Sequence, residues 1–209
     1  MNLKDAIQSF SMDSLKSTLV NVRHLDGTVT KSNKYGAIIE EANEYSRPEP
    51  NFSLYGFIPN FNPDLQIGKI NLPEFTILFG SLDVAQDFNL LKGNNVTHII
   101  NLISNIAPNY FPEFFQYLSL LVYDDLSFQL HDTLYQCCDF LNIVKEKNGC
   151  CFIHCNAGLS RAPSIVIGYL IIVYAYSYEE AYSLVNSTRN IYINVNFRSQ
   201  LMRLWLNGF

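Results

Sequence analysis

From residue 64 onward the apolar positions fall into blocks with two rhythms. LQIGKI (65–70) and TILFG (76–80) are apolar runs of strand length. VTHIINLI (96–103), LSLLVYD (118–124) and CCFIH (150–154) are nearly continuous apolar runs. They lack the strict alternation of a strand wetted on one face, so each is predicted as a buried strand covered on both sides. Between them the spacing turns helical. VAQDFNLLKGNN (84–95) predicts a helix ending in a Gly-Asn stop, and QLHDTLYQCCDFLNIVKEKNG (129–149) one ending at Gly149. Further helices are predicted at 160–175, 178–188 and 195–206. Strands alternating with helices indicate an α/β fold, a central, mainly parallel, twisted sheet flanked by helices.

The first 62 residues read differently. Leu3, Ala6, Ile7 and Phe10 recur at helical spacing, with Met12, Leu15 and Leu19 able to continue the stripe. VRHLDGTVTK predicts a hairpin turning at Asp26-Gly27. Residues 46–63 hold four prolines among Asn and Ser, the composition of a linker or ordered surface loop. The expected division is an N-terminal extension, 1–62, and a catalytic-sized domain, 63–209.

Composition narrows the function. Of 209 residues 48% are hydrophobic, enough for a sizeable core. Fourteen Lys+Arg against 19 Asp+Glu give a net charge of −5 without any basic run, which argues against nucleic-acid and membrane-surface binding. The longest apolar stretch, Ser164 to Tyr176, has 13 residues, short of the ~20 that a membrane span needs. Five cysteines, two pairs of them sequence neighbours, do not suit a disulfide framework. Met1 to Phe10 lacks the apolar core of a signal peptide. A reducing compartment, cytoplasm or nucleus, is the expectation.

HCNAGLSR (154–161) carries the chemistry. It lies between a buried strand and a hydrophobic helix, where an α/β fold presents its ligand loops. Converging backbone amides and a helix N-terminus make an anion site. Gly158 allows a tight curl, while Asn156, Ala157, Leu159 and Ser160 add no charge. The anion's partners are therefore backbone amides and Arg161, whose guanidinium can hold two phosphate oxygens. The same surroundings favour a thiolate at Cys155, placing a nucleophile beneath a bound phosphoryl group. His154 can orient the loop through its backbone. Cys137, Cys138, Cys150 and Cys151 read as small core residues. With four histidines and no C-x-x-C, a zinc site is not expected, and neither metal nor cofactor is called for.

His154-Cys155-Asn156-Ala157-Gly158-Leu159-Ser160-Arg161 resembles the H-C-x-x-G-x-x-R signature of cysteine-dependent protein phosphatases, in the form typical of dual-specificity phosphatases. DLQIGKI, LFGSLDVAQD, LLKGNNVTHIINL and SRAPSIVIGYL resemble successive segments of the atypical members, across about 64–207. The resemblance implies a protein tyrosine phosphatase-like fold. It also implies hydrolysis of phosphotyrosine and phosphoserine/threonine esters through a cysteinyl-phosphate. Cleavage needs a proton for the leaving oxygen, and LSLLVYDDLSFQL offers Asp124 and Asp125. Alignment to the family pattern selects Asp124 as the general acid. TRNIYINVNF resembles a family segment near the C-terminus but is one residue shorter, with Arg189 and Asn194 as structural hydrogen-bonders.

One departure stands out. Ala162 replaces the Ser or Thr that many relatives place after the arginine, whose hydroxyl eases departure of the cysteine sulfur. The resemblance suggests phosphoprotein substrates among mitogen-activated or stress-activated kinase cascades. A reactive thiolate also predicts oxidative sensitivity, with Cys151 as a candidate resolving partner. The rival reading is an inactive or weakly active phosphoprotein-binding scaffold.

Overall fold

The computed structural model describes residues 20–23, 29–32, 38–42 and 63–207. The chain divides into two compact units, Met1–Asn51 and Phe52–Phe209. The first contains β1 (Val20–Arg23), β2 (Val29–Ser32) and β3 (Ile38–Ala42), a three-stranded antiparallel sheet in that order. β1 and β2 pair antiparallel as the expected hairpin requires, but Arg23 pairs with Val29, one residue away from the Thr30 that a two-residue turn at Asp26-Gly27 would give it; the turn itself lies outside the described residues. β3 continues the hairpin, unheralded by the apolar pattern. The helix expected over 3–19 and the boundary at Asn62 lie outside the described residues.

The second unit is built on a five-stranded sheet, ordered β4-β5-β8-β6-β7. Its strands are β4 (Gly68–Asn71), β5 (Thr76–Gly80), β6 (His98–Asn101), β7 (Gln116–Ser119) and β8 (Cys150–His154). All neighbours pair in parallel except β4 with β5. β8 is central and every residue of CCFIH is buried, as its unbroken apolar run requires.

Helices cover both faces. α1 (Leu82–Ala85) and α2 (Phe88–Gly93) replace the single helix expected over 84–95. Gln86 closes the first and Asp87 caps the second, its carboxylate accepting from the Leu90 N–H at 2.9 Å. α3 is His131–Glu146, α4 Arg161–Tyr174, α5 Tyr178–Thr188 and α6 Val195–Asn207. α4 is buried over Arg161–Ile171, which explains an apolar run too short to span a bilayer. Among the described residues no helix is long and apolar enough to cross a membrane. The left-handed residues at the stops after α2 and α3 are Asn95 (φ 56°) and Asn148 (φ 49°), not the neighbouring glycines.

One strand corrects its expectation. LSLLVYD is not a doubly covered strand. β7 ends at Ser119 and bonds only to β6, leaving it half-exposed at the sheet edge. Beyond it the chain follows β6 through single contacts, Leu120 N–H to Asn101 O (2.8 Å) and Val122 N–H to Leu102 O (3.0 Å), before turning into the loop at Asp124.

Candidate active site

The central strand sets the site. His154 ends β8, paired on one side with Gly80 and on the other with Asn101. Cys155 follows at 2% exposure, at the base of the loop 155–160. The loop curls through Gly158 at φ +68°, a region that disfavours any side chain. A Cβ there would also lie 2.4 Å from the Gly80 carbonyl carbon. The Leu82 N–H donates to Asn156 O at 2.8 Å, anchoring the other flank of the loop.

Carbonyl oxygens turned outward by this curl need partners. Arg189, 2% exposed at the end of α5, supplies them. Its guanidinium donates to Ala157 O at 2.9 Å and to Gly158 O at 3.4 Å. It also pairs with Asp64 and donates to Gln66 O. The guanidinium holds the Asp64 carboxyl below its usual range, against a smaller opposing effect of burial. The Tyr192 N–H closes the ring by donating to Leu159 O at 2.8 Å. With the outward carbonyls engaged, the loop is left free to present amides inward. Arg189 thus acts as the structural hydrogen-bonder that its position in the sequence suggested.

Arg161 opens α4 and is 3% exposed. One of its terminal nitrogens donates to Val122 O at 3.3 Å, and its Nε lies 3.7 Å from Asp124 Oδ2. Asp124 Oδ1 accepts from the Ser160 hydroxyl at 2.9 Å and from the Asn194 side-chain amide. The Asn194 N–H in turn donates to Ser160 Oγ at 3.3 Å. Ser160 therefore spends its hydroxyl on Asp124 and does not cap α4.

The two adjacent acids separate. Asp125 accepts from the N–H groups of Ser127 (2.7 Å) and Phe128 (2.8 Å) and from the Ser127 hydroxyl (2.9 Å). These bonds, led by the Ser127 N–H, lower its pKa and bend its own loop. Asp124 is the one turned to Arg161.

His154 is buried and neutral. Burial pushes its pKa down to about 4, opposed by the Cys155 backbone and assisted by Arg161. Burial likewise pushes the thiols of Cys138 (to about 12), Cys150 (to about 11), Cys137 and Cys151 upward, as core side chains. A Cys151–Cys155 disulfide is ruled out by the strand. Four extended residues separate their Cα atoms by about 13 Å, beyond the ~7 Å that a disulfide spans. Among the described residues, no group of three or more His, Cys, Asp or Glu side chains is placed to hold a metal ion.

Sequence reasoning missed the cross-links that set the acid loop. Asn196 donates to Asp125 O (3.2 Å) and Phe128 O (2.8 Å). Gln200 donates to Phe128 O (2.8 Å) and accepts from the Leu130 N–H (2.8 Å). These pairs lie about 70 residues apart, and no local pattern signals them.

Known proteins resemble this chain in sequence and in fold. The family model "Dual specificity phosphatase, catalytic domain" matches residues 77–205. The mouse dual specificity protein phosphatase 19 is 31% identical over 96% of this chain and 88% of its own length. The protein-tyrosine-phosphatase MKP1 of Arabidopsis thaliana is 38% identical over 61% of this chain, which spans only 16% of that protein. Among solved structures, DUSP15 is 26% identical with a TM-score of 0.60, over 66% of this chain and 88% of that one. The human tyrosine phosphatase-like serine/threonine/tyrosine-interacting protein is 25% identical with a TM-score of 0.60, over 67% of this chain and 95% of that one. With a family match across most of its length and a relative aligned almost end to end, the chain belongs to the dual specificity phosphatase catalytic-domain family.

Proposed function

We propose that this protein hydrolyses phosphotyrosine and phosphoserine/threonine esters of proteins, with Cys155 as nucleophile, Arg161 as phosphate clamp and Asp124 as general acid. The observation that carries the reading is one of convergence. A buried cysteine lies at the base of a loop curled through Gly158, and the loop's arginine stands 3.7 Å from a carboxylate on a separate loop. The inactive-scaffold alternative has less support, because nucleophile, clamp and acid are all present and mutually placed.

In the proposed mechanism a phosphoryl group seats on the amides of residues 156–160. Its oxygens draw the Arg161 guanidinium away from Asp124 Oδ2. Oδ1 stays held by Ser160 and Asn194, so Oδ2 is the oxygen left to carry the proton. The Cys155 thiolate attacks phosphorus while Asp124 protonates the departing ester oxygen. The loop amides and Arg161 stabilise the charge on the equatorial oxygens. Asp124, then a carboxylate, takes a proton from the water that cleaves the cysteinyl-phosphate. Neutral, buried His154 takes no part in proton transfer and supports the strand end.

Within the family, the small residue at 162 and the DLQ start at 64–66 support a likeness to the stress-activated protein kinase pathway-regulating phosphatase. That likeness supports substrates in mitogen-activated or stress-activated kinase signalling, and a location in cytoplasm or nucleus belongs to the same reading. Residues 63–209 carry the chemistry in this reading, and 1–62 form an attached extension.

The test is Cys155→Ser assayed with an aryl phosphate and with phosphopeptides. Turnover is expected to vanish while phosphopeptide binding persists. Full residual activity would overturn the assignment.

A further inference from the structure

The mouth of the site carries an unusual set of exposed side chains. Leu126, on the acid loop, is 71% exposed; Tyr192 is 82% exposed and Val195 64%. Leu159, on the phosphate loop itself, is 37% exposed. Hydrogen bonds link their segments: the Tyr192 N–H donates to Leu159 O, and the side-chain amide of Asn196, next to Val195, donates to Asp125 O, next to Leu126. Three segments therefore place four apolar side chains on one rim. Large apolar groups held in solvent beside a ligand site indicate a surface that a partner covers.

The rim's charge is one-sided. Segments 120–130, 155–160 and 190–197 contain no Lys, Arg or His, and they hold two carboxylates, Asp124 and Asp125. Arg161 is buried within the cup, and Arg198, one turn into α6, acts on Tyr178. From these three segments, an acidic residue beside a bound phosphoryl group would meet carboxylates and apolar carbon and no cation. An apolar residue would meet Tyr192, Val195, Leu126 and Leu159.

We propose that this rim selects phosphopeptides with apolar rather than acidic residues beside the phosphorylated side chain. This rests on the phosphatase reading and names the substrate class within it. The flanking residues contact the rim equally before and during phosphoryl transfer, so the preference resides in KM.

The experiment uses the full chain and two phosphotyrosine peptides that differ only at the flanking positions, Leu and Val in one and Glu in the other. A bare aryl phosphate serves as reference. The apolar peptide is expected to show a KM lower by about tenfold, the scale of partial burial of one or two apolar side chains. Val195→Ser and Leu126→Ser should each remove much of that difference and leave the aryl phosphate rate unchanged. Val195→Ile and Leu126→Met should keep it. Equal KM values, a preference for Glu, or a parallel loss on all three substrates in the Ser variants would overturn the proposal. Should the chain turn over none of them, the phosphatase reading fails separately. Binding of the two peptides to Cys155→Ser then reads the rim directly, and equal affinities would refute it.

Discussion

Two loops meet at this site, and they are held in opposite ways. The phosphate loop leaves β8, the fully buried central strand of the sheet. It is fixed largely by main-chain contacts, Gly158 against Gly80, Leu82 N–H on Asn156 O and Tyr192 N–H on Leu159 O, with the Arg189 side chain on two further loop carbonyls. The acid loop leaves β7, a half-exposed edge strand. It is fixed by side-chain amides, Asn194 and Asn196 and Gln200, reaching across from the chain's last helix and its approach. A loop held by its backbone keeps one shape whatever its side chains become. A loop held by side chains is tuned one residue at a time.

The sharpest test of this contrast separates the neighbouring acids. Asp124→Asn is expected to slow phosphotyrosine-peptide turnover by ~10²–10⁴-fold, the usual worth of a general acid. The loss should shrink with an aryl phosphate whose leaving group departs without a proton. Asp125→Asn should cost only a few-fold, through loop geometry. The reverse order would exchange their roles. Next in size, Gly158→Ala must move the cup itself. A displacement near 1 Å predicts a loss of about 10²-fold for every substrate, aryl phosphates included. Steady-state rates with circular dichroism as a fold control would show it, and a near-native rate would mean that the cup yields more readily than its contacts imply.

A smaller effect follows from His154. Unfolding returns its pKa from about 4 to ~6.5, so between those values the unfolded chain binds a proton that the native chain refuses. Stability is then complete above about pH 6.5 and declines as pH falls toward about 4, by roughly 3 kcal/mol in total. Urea midpoints at about pH 7.5 and about pH 4.5 measure the decline, and His154→Gln should flatten it. An unchanged decline in that variant would assign the acid sensitivity to other groups. Smallest of all, Asn196→Ala releases one tether of the acid loop. It should lower kcat on phosphopeptides by about three- to tenfold and leave phosphate affinity near its native value, since the cup does not depend on it. Equal loss of phosphate affinity would show the two loops to be one mechanical unit.

The same contrast explains what could be read from the residues alone. The cup was legible because its parts are contiguous: a buried strand, a glycine, an arginine and a helix written in one run of twelve residues, 150–161. The central strand was legible because burial on both faces writes an unbroken apolar string. β7 was misjudged for the converse reason. In LSLLVYD only Val122 is buried; Leu118 and Leu120 pack partly against the core, Leu121 and Tyr123 are exposed, and the strand ends at Ser119. The helix over 84–95 read as single because a cap in its middle, Asp87, is also an ordinary helix-face residue by spacing. The tethers of the acid loop join positions about 70 residues apart, and polar residues such as Asn196 and Gln200 look like any solvated helix face until the chain is folded.

The closeness of Gly158 to Gly80 has a consequence for redesign. The would-be methyl at 158 meets main-chain atoms of the neighbouring strand end, so no repacking of the surrounding side chains could make room for it. An engineer could replace much of the core around the cup and keep its curvature. The backbone itself would have to be redrawn before position 158 could accept a side chain.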